Sequence, residues 1–184
     1  MAIKCTLIIS LFLSALLGCI PTLDEADCFS PLNEGEVFQP NLASISPMNA
    51  IYNKNDTLTL NLVIPSENSY FGRSLDLFDQ TNQTNVLIGG LNISGLISGN
   101  GVDIKRGSHS VLGNTTVANL LYYPATNTYE YIVEIILNQS GQYSIYGQEY
   151  QMAFVVDDRC SYRLNTSLQG LESNPFFEFE VIDE

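Results

Sequence analysis

The sequence predicts an all-β protein, built as a sandwich of two antiparallel sheets. Three observations carry this. Apolar and polar residues alternate at period two in several runs. Pairs of Gly, Asn, Pro and Asp separate those runs, as tight turns require. No helical stretch of useful length follows the N-terminal segment. Composition agrees, since 45% of the 184 residues are apolar, enough for a core, and only 15% are charged. Polarity comes instead from Asn, Ser, Thr, Gln and Gly, a mixture that suits strands joined by turns.

In chain order, residues 1–18 are expected to be a signal peptide rather than part of the fold. Lys4 supplies a positive start, and Leu7 to Leu17 an apolar run broken only by Ser10 and Ser14. That run is short of the ~20 apolar residues a membrane-spanning helix needs. Its end, Leu16-Leu17-Gly18-Cys19, resembles the lipobox of bacterial lipoproteins. The resemblance implies cleavage before Cys19, a diacylglycerol on its thiol, and a lipid anchor in place of a membrane span. Two or three acyl chains hold stably where one is marginal. Leu17 stands where Ala or Ser is commoner in that family. An ordinary secretory signal followed by a coincidental Cys is the alternative.

Residues 19–35 read as a tether, with Asp24, Glu25 and Asp27 as an acidic cluster. In lipoproteins of Bacteroidota, acids soon after the lipid Cys are associated with display on the cell surface. Here they start five residues on, without a preceding Lys or Gln, and a solvated linker explains them equally well. Of the four cysteines, Cys5 leaves with the signal and Cys19 takes the lipid. Cys28 and Cys160 remain, one pair in an exported chain, and a disulfide is expected. It would close a loop of more than a hundred residues, worth about 4–5 kcal/mol in the chain-entropy model.

Residues 36–184 are expected to be the sandwich. Leu58, Leu60, Leu62 and Ile64 alternate with Thr57, Thr59, Asn61 and Val63, and Pro65 ends the run. Tyr129, Tyr131, Val133 and Ile135 form a second inward set, opposite Glu130, Ile132, Glu134 and Ile136. Tyr150 to Val156 is a third run, and Phe177, Phe179 and Val181 a fourth inward set. Weaker strands are expected at Ser74–Phe78, Val86–Ile88, Val102–Lys105, Val117–Tyr122, Tyr143–Tyr146 and Ser161–Leu164. Turns fall at Gly89-Gly90, Asn100-Gly101, Gly113-Asn114, Pro124 with Asn127, Ser140-Gly141 and Asp157-Asp158. Asn100-Gly101 has the strongest two-residue hairpin signal, because both residues tolerate positive φ. Gly141-Gln142-Tyr143 before Ile145 resembles the corner that precedes strand F of immunoglobulin-like domains. That resemblance implies a Tyr143 hydroxyl bonded back to the backbone at the corner.

Little in the sequence carries chemistry. His109, the only His, sits in Gly107-Ser108-His109-Ser110 beside Lys105 and Arg106. A Ser–His pair needs a third group to place it, and no motif supplies one, so a surface-loop histidine is the stronger reading. Asp157-Asp158 lacks the spacing of a calcium loop and reads as a polar turn. Glu178 and Glu180 share a strand face, and the solvent face of an edge strand is favoured over a cation site. Six N-x-S/T sequons lie at Asn55, Asn82, Asn92, Asn114, Asn138 and Asn165, expected by composition in a bacterial chain and glycan acceptors in a eukaryotic one. Tyr122-Tyr123 with Tyr129 and Tyr131 would make an aromatic contact surface for glycan or protein; strand residues at the core boundary are the commoner outcome. A formal charge of −13, with 7 Lys+Arg, argues against nucleic-acid binding. One His and few free Cys argue against an ordinary zinc site.

The function expected is thus a lipid-anchored cell-envelope β-sandwich, at the outer membrane, acting as a binding or structural accessory. It has no catalytic residues, cofactor or metal, and its partners are the membrane through Cys19 and an envelope protein or glycan. A secreted eukaryotic glycoprotein with an immunoglobulin-like domain is the first alternative, and a small carboxylate-based envelope hydrolase the second.

Overall fold

The computed structural model describes residues 36–112, 115–157, 160–171 and 174–183. The signal peptide, Cys19, the tether, Cys28, the side chain of Cys160, the Gly113-Asn114 turn and Asp158 lie outside the described residues.

The largest sheet runs in the order β2 (Ala43–Ser46), β4 (Thr57–Pro65), β11 (Thr128–Ile136), β10 (Thr115–Tyr123), β7 (Asn85–Leu87). Its heart is the pair predicted most strongly. β4 and β11 are antiparallel over nine register pairs, from Thr57 with Ile136 to Pro65 with Thr128. Alternation puts Leu58, Leu60, Leu62 and Ile64 on the inner face with Tyr129, Tyr131, Val133 and Ile135, all at most 1% exposed. Each such side chain stabilises the fold by about 1.5–3 kcal/mol relative to exposure.

Two three-stranded sheets form the facing layer. One is β1 (Glu36–Phe38), β14 (Cys160–Thr166) and β13 (Tyr150–Asp157); the other is β12 (Gly141–Tyr146), β15 (Phe176–Ile182) and β3 (Ile51–Asn53). Tyr150, Met152 and Phe154 face inward from β13, Tyr162 and Leu164 from β14, and Phe177, Phe179 and Val181 from β15. The Phe154 ring meets Tyr129 edge-on at 4.9 Å between centroids, which ties the layers together. The protein is therefore an all-β sandwich, as predicted. Among the described strands two pairs, β1 with β14 and β3 with β15, are parallel and the other strand pairs are antiparallel.

The order β2-β4-β11-β10 follows the A-B-E-D order of immunoglobulin-like domains, but β13 and β14 intervene between β12 and β15, where F and G would be consecutive. The corner tyrosine stands where that correspondence places it. Tyr143 donates its hydroxyl to the Gln139 carbonyl at 2.9 Å, between β11 and β12, and Ile145 points into the core. The device recurs: Tyr150 donates to the Tyr146 carbonyl at 2.7 Å, and Tyr52 to the Pro47 carbonyl. The rings of Tyr52 and Tyr150 are buried and that of Tyr143 is half-buried against the core, while each hydroxyl meets a turn carbonyl, so an amphipathic side chain ties a turn to the core.

Both seams between the layers are stitched by backbone bonds. Gly89 and Gln151 exchange N–H···O bonds of 2.7 and 2.9 Å. Ala43 receives the Gln169 N–H at 2.8 Å on the opposite seam.

Several expectations need correction. Ser74–Phe78 is a strand only over β6 (Leu75–Asp76), which pairs with β5 (Glu67–Asn68), and the chain then turns into α1 (Leu77–Thr81). Asp76 caps that helix by accepting from the N–H groups of Phe78 and Asp79, and this local bond outcompetes the ladder. Asn100-Gly101 is no hairpin. It joins α2 (Ser94–Ile97) to β8 (Gly101–Arg106), because the Asn100 amide donates to the Leu96 carbonyl and accepts from the N–H groups of Asn138 and Gln139. β15, expected at an edge, is the middle strand of its sheet.

Candidate functional site

The densest polar constellation lies where the β10–β11 hairpin splits. Three register pairs join the two strands beside the turn, from Tyr123 with Thr128 to Leu121 with Glu130. Beyond them the strands part. β8 lies along β11, reaching Arg106 opposite Ile132, while β9 (Ser108–Leu112) lies along β10, beginning with Ser108 opposite Asn119. Gly107 is the apex of this V. Its φ of +83° favours glycine. A Cβ there would stand 2.7 Å from the Asn119 carbonyl and 2.8 Å from the Tyr131 ring. Its N–H donates to the Tyr123 hydroxyl at 3.0 Å.

Around this apex the outer face carries paired charge. The Arg106 guanidinium lies 4.4 Å from the centroid of the Tyr123 ring and 3.5 Å from the Glu130 carboxylate. Glu130 is only 8% exposed, yet its carboxylate also accepts from Thr126 and Thr128 at 2.9 and 2.6 Å. These partners satisfy the hydrogen-bonding atoms of a side chain that is almost wholly removed from water. Lys105 is the extra residue of a bulge in β8, and it reaches Asp103 at 2.5 Å and Glu134 at 3.0 Å.

His109 is not in a surface loop. The Gly, Ser and His of Gly107-Ser108-His109-Ser110 look like a loop, but the β10 ladder takes them into β9. His109 lies opposite the buried Ala118 and meets the Tyr131 hydroxyl through Nε2. Burial holds its imidazole below the usual histidine range and pushes the Tyr131 phenol up. Strand alternation sends Ser108 and Ser110 to the opposite face, where Ser110 Oγ accepts from Asn119 at 3.0 Å. A Ser–His pair between these neighbours is therefore excluded by geometry.

The other predicted candidates scatter. Asp157 is exposed at the end of β13, and Glu178 and Glu180 line the outer face of β15. Tyr122, Tyr129 and Tyr131 do not form an aromatic surface. Tyr129 and Tyr131 are fully buried, Tyr122 stacks on Phe78 at 4.0 Å, and only Tyr123 points outward at the fork. Burial pushes the Tyr129 phenol up to about 12, and its hydroxyl donates to the Gln83 carbonyl. Among the described residues no group of three or more His, Cys, Asp or Glu side chains is placed to hold a metal ion, and no helix is long and apolar enough to cross a membrane.

Sequence reasoning missed Glu130, Arg106, Tyr123 and Gly107 as a unit. The signal was faint: an Arg-Gly step between two alternating stretches, and an acid on the wet face of a strong strand. Compared with family models, curated proteins and solved structures, the chain matches none.

Proposed function

We propose that this chain is a lipid-anchored β-sandwich of the bacterial cell envelope that works through contact rather than catalysis. The observation that carries the reading is Leu16-Leu17-Gly18-Cys19 at the end of an apolar run. The fork is consistent with a contact role, because its charges are paired and its histidine is turned from both neighbouring serines. Intact-mass spectrometry tests the anchor, using the full chain made in a lipoprotein-processing host. The expected product starts at Cys19 and carries acyl mass, and Cys19→Ala abolishes both. An unacylated product cut elsewhere overturns the reading.

One observation favours a second reading, the secreted glycoprotein. Asn55, Asn82, Asn92 and Asn138 are exposed at turns or element ends, where a glycan would fit without disturbing a strand. Asn165 differs, lying half-buried within β14 and donating to Glu36. Amidase digestion of the chain from its native source separates the readings: asparagine-linked mass there supports the glycoprotein, and its absence removes it.

A further inference from the structure

We propose that two copies of this chain pair edge to edge through β8, antiparallel, about a two-fold axis at Ile104. The proposal does not depend on the lipid anchor. β8 pairs with β11 on one side and, among the described residues, with no strand on the other. Six residues of strand span about 20 Å of backbone on that edge. Strands left this way offer unpaired N–H and C=O groups to another chain.

The sequence of β8 selects a second copy as the occupant. Antiparallel pairing about Ile104 sets Asp103 opposite Lys105 of the second copy, and Lys105 opposite its Asp103. Ile104 meets its own counterpart, and the regular register ends at the bulge, past which Arg106 lies on the face opposite Val102. Val102 and Ile104 are each 39% exposed, so both keep apolar surface to bury. Asp103 and Lys105 side chains are 57% and 43% exposed and lie on one face, since Lys105 already reaches both Asp103 and Glu134. In the pair, each lysine gains a second chain's carboxylate. Edge charges and the bulge at Lys105 deter strands lacking the complementary pattern; the pattern Asp-Ile-Lys complements itself. The overall charge of −13 opposes association, but at physiological salt the Debye length is about 8 Å and contact pairs outlast the long-range repulsion.

Sedimentation velocity of the full chain, in detergent where it carries lipid, tests this over about a hundredfold range of concentration. The wild type is expected to pass from monomer to dimer. Asp103→Lys and Lys105→Asp each place like charges opposite one another twice, and each is expected to weaken the dimer at least about tenfold. Mixing the two variants restores complementarity across the axis, so the mixture dimerises where neither variant does alone. A role confined to one chain cannot produce that rescue. A wild type that stays monomeric, variants that dimerise like the wild type, or a mixture no better than its components overturns the proposal. A second measurement fixes the register. Ile104→Cys is expected to cross-link two copies through its own thiols on oxidation, since facing Cα atoms on the axis lie about 4.5–5.5 Å apart. Ser144→Cys, exposed on the other layer, is not. Equal linkage at both positions, or none at Ile104→Cys, overturns it.

Discussion

β11 has two unlike edges. Along one, β4 pairs with it over nine residues with no shift in register. Along the other, β10 holds three residues and β8 five, with a bulge at Lys105 and a bend at Gly107 between them. The first edge is set by side chains: eight large apolar residues alternate inward and fix the register, because a slip of one would turn them all outward. The second is set by backbone conformation and polar bonds. One positive φ, one buried carboxylate and one tyrosine hydroxyl decide where the hairpin opens.

The contrast predicts how the two edges fail. Leu60→Ala removes a side chain 1% exposed on the regular edge, and should cost about 2–5 kcal/mol through lost burial and the cavity left behind. Urea unfolding should show that loss as a lower midpoint with an unchanged slope. Gly107→Ala should cost about 2–3 kcal/mol, as positive φ is strained for alanine and the new carbon meets Asn119 and Tyr131. Gly72→Ala is the control. Gly72 has φ +75° but open space around it, and about 1–2 kcal/mol from φ alone is expected. If both glycine variants melt together, the fork is not held by close packing at its apex.

Glu130→Ala should cost about 1–3 kcal/mol, since Arg106, Thr126 and Thr128 lose a common acceptor. Adding Arg106→Ala should then cost less than it does in the wild type, a coupling that a double-mutant cycle reads directly. The smaller effect is one of pH. Burial lowers the folded-state value of His109, whereas in the unfolded chain histidine titrates near ~6.5. Between those values the unfolded chain holds the extra proton, so stability present above ~6.5 falls as pH drops toward the folded value. His109→Gln should flatten that limb in melts across the window. Asp76 acts lower. Burial opposes its ionisation, but hydrogen bonds from Asn127, Ser66 and the N–H groups of Asp79 and Phe78 outweigh it and hold the carboxyl down. Its contribution is present above ~3.9 and is lost only as pH falls through its lowered value.

Legibility in the sequence follows the same division. Leu58 to Ile64, Tyr129 to Ile135 and Phe177 to Val181 were readable because period two is a property of consecutive residues. Tyr143 was readable because its corner is local. β9 was not, because Ser-His-Ser joins a strand only when β10 offers a ladder. Asn100 departs from its hairpin reading for a related reason: its partners Leu96, Asn138 and Gln139 are brought together by the tertiary fold. Of the candidate site, Glu130 was visible as a charge on a wet strand face, and Arg106 only as a cation beside the His109 segment. Their meeting over Tyr123 depends on Gly107, and one glycine among 13 announces no conformation of its own.

The parallel placement of β1 on β14 and of β3 on β15 has a mechanical consequence. A pull applied between residues 36 and 183 runs along these strands. It strains the three registered pairs of β3 and β15, Ile51 with Glu180, Tyr52 with Val181 and Asn53 with Ile182, side by side. Bonds loaded in shear share the force and give way together, where an antiparallel ladder peeled from its open end would yield one rung at a time. A domain tugged from its ends would meet that tension with its own seam as the brake.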